Sequence, residues 1–211
     1  MTIRLTRAPM TMAIMIVIVI VFGIEVAKGA LEDNNVLVTL GAIIPGIFER
    51  HDYWRLLAAM FLHASYLHVG LNLWAIYQLG TLYEVMFGAP RLAFVYFATG
   101  LAASITSALH VGGASVGASG AVFGVLGAFI FSIRRSPRWR HEKWTRSLVN
   151  QLVFLVILNL VIGYEVPMID NYAHIGGLVA GLILGFLPHR VPPPPPSGMV
   201  IEAQSVQGGP A

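Results

Sequence analysis

The chain has 211 residues, of which 56% are hydrophobic and only 11% are charged, with a formal net charge of +3. Soluble domains carry about 25% charged residues, so this composition excludes an ordinary soluble globule and indicates a single-domain integral membrane protein. The chain contains no cysteine, which excludes disulfides and thiolate catalysis.

The first apolar run extends from Met10 to Ile24 and follows Arg4 and Arg7. A basic start followed by an apolar core is also typical of a cleaved signal peptide. Because further apolar runs follow, the chain must be inserted into a membrane in any case. We therefore interpret the first run as an uncleaved transmembrane helix.

The next segment, residues 27–66, is too interrupted for a span of about 20 residues. It combines a polar turn, a mostly apolar stretch containing Pro45, and a charged stretch. We predict a long loop that dips partly into the membrane interface, with Tyr53 and Trp54 at the level of the headgroups.

Five more apolar segments predict helices: Leu67 to Phe87, Leu92 to Leu109, Ser119 to Ile133, Leu148 to Tyr164, and Tyr172 to Leu187. With the first run they predict an all-α, polytopic bundle of six transmembrane helices over residues 1–190. Residues 191–211 begin with a run of five prolines and predict an extended, disordered cytoplasmic tail. A partner-binding role for this tail is the less favoured interpretation.

Charge placement predicts the orientation of these six helices. One side of the membrane would carry ten of the 13 Lys and Arg residues: Arg4, Arg7, Arg91, Arg134, Arg135, Arg138, Arg140, Lys143, Arg146 and Arg190. The positive-inside rule makes that side cytoplasmic, together with both termini. The basic stretch 134–146 also resembles a nucleic-acid-binding surface, but attraction to anionic lipid explains it without nucleic acid.

This orientation places four polar side chains at one depth, near the outer side. Ser119 begins the fourth helix, His174 lies near the start of the sixth, and His68 and Asn72 share a face of the second. Polar residues within spans are costly and usually face an interior or a water-filled cavity. We interpret the four as a site.

In this site, His174 could act as the base that a serine hydroxyl needs at neutral pH. His68, Asn72 and the Ser119 N–H could donate to an oxyanion. The glycines of the sixth helix, spaced four apart, would let it approach the fourth closely. The nearest carboxylate in the sequence, Asp170, is expected in a loop, so the pattern favours a Ser–His dyad over a triad.

These motifs resemble the rhomboid intramembrane serine proteases. The resemblance is carried by Trp54-Arg55, by His63, His68 and Asn72 in H-x-x-x-x-H-x-x-x-N, by Gly117-Ala-Ser-Gly120, and by Ala173-His-Ile-Gly-Gly-Leu-Val-Ala-Gly181. It implies that Ser119 is the nucleophile, that His174 is its base, and that His68, Asn72 and Gly117 line the oxyanion and substrate site. It implies structural roles for Trp54, Arg55, His63, Glu84, Gly120, Phe123, Gly177 and Gly181.

One position departs from the family pattern. Phe123 stands where many rhomboids carry a tyrosine that packs on the histidine. Phenylalanine retains the ring and loses the hydroxyl, so we expect the packing to survive. With neither a soluble N-terminal domain nor a seventh span expected, the chain resembles the minimal six-helix bacterial type. That type implies the bacterial inner membrane, although an organellar membrane stays open.

The resemblance implies hydrolysis of peptide bonds in or near transmembrane segments of single-span or polytopic substrates, without a cofactor or metal. The oligomeric state is not predicted. One alternative is a transporter or channel that uses the intramembrane histidines for protons or metal ions. Another is a rhomboid relative that binds membrane clients without cutting them. The presence of both Ser119 and His174 favours the enzyme over that relative.

Overall fold

The computed structural model describes residues 8–110, 112–137, 140–166 and 169–187, and in these residues the chain is all-α. The helices are α1 (Pro9–Ala27), α2 (Asn34–Leu40), α3 (Arg55–Ala58), α4 (Tyr66–Ala75), α5 (Thr81–Phe87), α6 (Ala89–His110), α7 (Ser119–Arg135), α8 (Lys143–Glu165) and α9 (Asn171–Leu184). A π-helical turn at Ile76–Gly80 joins α4 to α5 without a break. The predicted C-terminal tail lies outside the described residues.

The apolar segments predicted as helices are helical over most of their length, but residues 27–66, predicted as a long loop, are not entirely irregular. That segment contains α2 and α3. The Asp33 side chain caps α2 by accepting a hydrogen bond from the Asn35 N–H at 2.9 Å, and Gly41 ends it with a φ of +120°. Seven residues are too few to show helical periodicity in the sequence.

Length and composition support fewer spans than the six predicted. Within the described ranges, α1, α6 and residues Thr145–Glu165 of α8 are long and apolar enough to cross a membrane. The segments Arg55–Phe61 and Tyr66–Phe87 form a fourth candidate if counted together, bent by 91°. Because α7 has 17 residues and α9 has 14, these criteria give three or four spans.

Helix α7 forms the centre of the bundle, packed between α6 and α9. Most of its side chains are buried, which explains why a short, glycine-containing helix is stable there. A Cβ on Gly177 would overlap the carbonyl oxygen of Gly120, and one on Gly181 would overlap that of Gly124. The glycines of α9 thus allow backbone contact with α7, as their spacing predicts.

Helix α1 is held to the rest of the bundle near both ends. The Glu84 carboxylate of α5 accepts hydrogen bonds from the N–H of Met10 at 2.9 Å and from the N–H and hydroxyl of Thr11 at 2.7 Å. Near the other end, Glu25 accepts a bond from the His63 N–H at 2.8 Å. Glu84 thus makes hydrogen bonds to a neighbouring helix.

Candidate active site

Ser119 and His174 meet where α7 and α9 both begin. Ser119 is the first residue of α7 and half-buried, while His174 lies in the first turn of α9 and is 7% exposed. The His174 Nε2 lies 2.8 Å from the Ser119 Oγ. For Nε2 to accept the serine proton, the neutral imidazole must carry its own proton on Nδ1. This pair has the geometry of a nucleophile and its base.

The Phe123 ring, one turn along α7 from Ser119, stacks on His174. The ring centroids are 4.2 Å apart and the planes differ by 6°. The expected packing of the phenylalanine on the histidine is present. Because the stack fixes the plane of the imidazole, it restricts where Nε2 can point.

Asp170 does not bind the other nitrogen of His174. Its carboxylate accepts hydrogen bonds from the Ala173 N–H at 3.0 Å, from the Ser115 hydroxyl at 2.7 Å and from the Ser107 hydroxyl. Within the part of the chain that the structure describes, the Nδ1 of His174 has no hydrogen-bond partner. Asp170 instead caps the helix that carries the histidine.

Backbone N–H groups at the start of α7 form the donor side of the site. The bond from Val122 N–H to the Ala118 carbonyl belongs to the first turn, so the Ser119 N–H precedes the intrahelical ladder. The Gly117 N–H cannot serve as such a donor in this structure, because it already donates to the Ala59 carbonyl at 2.9 Å. Free N–H groups and the helix dipole together favour negative charge next to the Ser119 Oγ.

His68 reaches the same place from α4. Its Nε2 lies 2.7 Å from the position that a Cβ on Gly117 would occupy, and the Ser119 Oγ lies 3.8 Å from that position. Gly117 has a φ of +131°, a conformation that side chains other than glycine's rarely adopt. A glycine at 117 is thus required both by the backbone and by the approach of His68.

Asn72 is buried one turn further along α4, but the structure gives it a different partner from the one the sequence suggested. Its Nδ2 donates to the His68 carbonyl of its own helix at 3.0 Å. The structure therefore brings Ser119, His174, Gly117 and His68 together, whereas the amide of Asn72 is engaged with the helix backbone.

A second carboxylate, Glu25, supports the histidines and was not singled out from the sequence. His63 and Glu25 are both fully buried, with the His63 N–H bonded to Glu25, and the His63 ring lies edge-on to that of His68 with centroids 5.0 Å apart. The sequence does contain one indication of this role, a lone acidic residue at the end of an apolar helix. Burying such a side chain in a membrane costs free energy unless it has a partner.

Arg55 holds together the segment between α1 and α4. The Arg55 guanidinium donates to the carbonyls of Val38 at 2.5 Å and Ala42 at 3.1 Å, and lies 4.7 Å from the centroid of the Trp54 ring. Partial burial tends to raise the pKa of the Asp52 carboxyl, but hydrogen bonds and charge from Arg55 hold that pKa below its usual value.

The same segment contacts the approach to α7 directly. Ile43 and Ser115 exchange two backbone hydrogen bonds of 2.9 and 2.8 Å, forming an isolated β-bridge. Together with the bond from Gly117 to Ala59, this bridge holds the chain at Ser115 and Gly117, four and two residues before Ser119. No local sequence pattern indicates such a bridge, because it joins positions 72 residues apart in an otherwise helical chain.

The sequence of the chain matches a known family and several known proteins. The family model described as "Rhomboid domain" matches residues 50–191. The chain is 34% identical to Rhomboid protease GluP of Bacillus subtilis (strain 168), over 77% of this chain and 31% of that protein. It is 36% identical to RHOMBOID-like protein 6, mitochondrial, of Arabidopsis thaliana, over 73% of this chain and 50% of the relative. Rhomboid-type serine protease 2 of Emericella nidulans is 33% identical, over 67% of this chain and 28% of that protein.

The chain therefore belongs to the rhomboid family, and it is an integral membrane protein. It spans half or less of the length of these three relatives.

Proposed function

We propose that this chain is an intramembrane serine endopeptidase, which hydrolyses peptide bonds in or near transmembrane segments of other membrane proteins. The observation that carries the proposal is the 2.8 Å contact between the Ser119 Oγ and the His174 Nε2. Membership of a family whose relatives bear the names rhomboid protease and rhomboid-type serine protease supports it.

In the proposed reaction, Ser119 attacks the scissile carbonyl carbon while His174 takes the hydroxyl proton on Nε2. The tetrahedral intermediate collapses when His174 returns that proton to the leaving amine, which leaves an acyl-serine. His174 then deprotonates a water molecule, which attacks the ester, and Ser119 regains its proton as the new carboxyl group departs. Each step uses residues that already lie within hydrogen-bond distance of one another.

The negative charge of the intermediate would develop at the N-terminal end of α7. The Ser119 N–H and the His68 side chain would donate to that charge, and Asn72 would join them by releasing the His68 carbonyl. A substrate helix must unwind locally before it can enter, because helical carbonyls are bonded and shielded. Substrates with glycine, proline or polar residues near the cut should therefore be preferred.

The proposed topology has six crossings: α1, α4 with α5, α6, α7, α8 and α9. Helices α7 and α9 are about 26 and 21 Å long at 1.5 Å per residue, against a hydrocarbon core of about 30 Å. Because α7 is buried between neighbouring helices, its length need not match the full thickness of the bilayer. Residues 28–65 would dip into the interface, with the half-exposed Tyr53 and Trp54 at headgroup level.

In this topology the protease domain comprises residues 1–190. Both termini lie in the cytoplasm with the tail 191–211, and the site opens to the outer side of a bacterial inner membrane. Arg91 lies at the end of the bundle opposite to Ser119, where it donates to Tyr83, Ser132 and the Leu187 carbonyl. Of the nine Lys and Arg residues that the structure describes, six lie at that end, as the positive-inside rule requires of a cytoplasmic side.

The test is cleavage of a tagged single-span substrate by the purified chain in lipid vesicles. Ser119→Ala and His174→Ala should each abolish cleavage, whereas Ser147→Ala, an exposed position on α8, should leave it unchanged. Asn72→Ala should be milder, since removal of one oxyanion donor typically costs about 10²–10³ in rate. Unchanged cleavage in either dyad variant would refute the mechanism.

A serine-directed phosphonate separates the protease from the two alternatives. It should label the parent and not Ser119→Ala. A transporter that used His68 and His174 would conduct protons or metal ions in vesicles without being inhibited by the phosphonate. A client-binding relative would retain the substrate without cutting it.

A further inference from the structure

A basic cavity lies at the opposite end of the bundle from Ser119, between the end of α7 and the start of α8. Its volume is about 400 Å³, and it is lined by Arg134, Arg140, Thr145, Arg146, Val149 and Asn150. The proposed proteolysis assigns it no role. The residues that line it combine cationic groups with hydrogen-bond donors, a combination that suits an anionic ligand.

Among the residues that the structure describes, no acidic side chain forms an ion pair with the three arginines of this cavity. In the described part of the chain, the ion pairs are those of Asp52 with Arg50 and Arg55, around the start of α3. The Nε of Arg140 lies 2.9 Å from the Nε2 of His141, at an exposed position. The guanidinium groups therefore face the cavity as uncompensated positive charge, and guanidinium groups bind phosphate in bidentate geometry.

A buried hydroxyl adds an independent indication of a ligand. Thr145 is only 2% exposed and lines the cavity, yet its Oγ1 has no hydrogen-bond partner among the described residues. A threonine inside a helix usually donates to the carbonyl four residues earlier, but Thr145 lies in the first turn of α8, where that carbonyl is outside the helix. The Glu142 side chain also leaves the first N–H groups of α8 uncapped.

An extended apolar surface begins directly beyond the cavity. Only 17% of an 18-residue apolar stretch within Thr145–Glu165 is buried inside the protein. Its exposed large side chains are Val153, Phe154, Leu155, Ile157, Leu158, Val161, Ile162 and Tyr164. A ligand that occupies the cavity thus meets cationic groups at the end of α8 and hydrocarbon along its length.

We propose that this cavity binds the phosphate of one anionic phospholipid, with the acyl chains lying along α8. Arg134, Arg140 and Arg146 would supply the charge, the Thr145 hydroxyl and the first N–H groups of α8 would donate to the phosphate oxygens, and Val149 would meet the glycerol carbons. Basic pockets between transmembrane helices are suited to such headgroups. This site is independent of the proposed proteolysis.

The test is native mass spectrometry of the full chain, released from micelles that contain equal amounts of phosphatidylglycerol and phosphatidylcholine. The parent should retain one phosphatidylglycerol molecule in preference to phosphatidylcholine. Arg134→Gln and Arg146→Gln should each weaken that retention roughly fivefold. Thr145→Val, which preserves the volume of the side chain, should weaken it less. Thermal unfolding of each variant verifies that it is folded.

Lys28→Gln is the matched control, because it removes one exposed positive charge at the opposite end of the bundle. Equal retention of the two lipids by the parent, or an equal loss in Lys28→Gln, would overturn the proposal. Glycerol 3-phosphate at the same concentration should not displace the lipid, since it lacks acyl chains. Displacement by it would identify a soluble phosphate site instead, and displacement by a single-stranded oligonucleotide would identify a nucleic-acid surface.

Discussion

The imidazole of His174 is held by two contacts that involve α7: the bond to Ser119 and the stacked ring of Phe123. The bond sets the distance between the proposed base and the proposed nucleophile, and the stack sets the orientation of the ring. Aromatic pairs contribute about 0.5–1.5 kcal/mol beyond the area they bury. Loss of the stack should therefore affect the alignment of the base more than the stability of the fold.

Phe123→Leu tests this view. It keeps an apolar side chain but removes the stacked ring, so kcat/KM for substrate cleavage should fall about two- to tenfold with little change in the melting temperature. Phe123→Tyr should cleave nearly as fast as the parent, because it keeps the ring. Phe94→Leu, at an exposed position of α6, serves as the control. Cleavage by Phe123→Leu at the parental rate would show that the stack does not orient the base.

Among the elements, the contact between α7 and α9 is the one that assembles the site. Gly181→Ala would drive a methyl group into the carbonyl of Gly124, so the helices must separate. Overpacking of this kind typically costs about 1–3 kcal/mol, and we expect thermal unfolding at a lower temperature together with slower cleavage. In Gly23→Ala a methyl group on α1 would meet no atom within 4 Å. That variant should be neutral or slightly stabilised, and equal melting temperatures for the two would contradict the packing argument.

The cap of α9 is also tied to the site. Asp170→Ala removes a helix cap, which costs about 1 kcal/mol, and leaves the buried Ser107 hydroxyl without its acceptor. Because His174 lies in the turn that this cap orders, cleavage should slow as well. Asp33→Ala removes the comparable cap of α2, away from the dyad, and should lower the melting temperature without reducing the cleavage rate. A parental cleavage rate in Asp170→Ala would show that the cap does not position His174.

At the scale of the whole molecule, two buried carboxylates join α1 to the bundle near opposite ends. Glu84→Gln leaves one oxygen to accept the bonds of the Met10 and Thr11 N–H groups, and hydrogen bonds to charged groups contribute about 1.5–3 kcal/mol. We expect a clearly lower melting temperature. Glu25→Gln should act in the same direction through His63. Glu32→Gln, at an exposed position, should have little effect.

Because Glu25 and Glu84 act near opposite ends of α1, the stability of the double variant Glu25→Gln with Glu84→Gln is also informative. Glu25 and Glu84 share no partner, so the destabilisation of the double variant should equal the sum of the single effects within about 0.5 kcal/mol. A double variant much less destabilised than that sum would show that α1 detaches as a unit once either end is released.

The sequence by itself determined the class of protein, the helical segments and the candidate site residues. Apolar composition, helix-length apolar runs and glycine spacing are local properties, and they predict helices and close helix contacts directly. The family motifs added roles for Ser119, His174, His68 and Asn72. The short α2 was missed because one or two turns show no helical periodicity. Glu25 was not singled out because it directly follows the first apolar run.

Only the tertiary structure decided which polar groups are partners. Asp170 binds Ser107 and Ser115 rather than the His174 ring, Asn72 binds its own helix, and the Gly117 N–H is committed to Ala59. These pairings join residues far apart in the chain or compete with other acceptors nearby, so no spacing rule specifies them. The dyad distance of 2.8 Å likewise depends on how closely the α7 and α9 backbones pack, which is set by the contacts of the whole bundle.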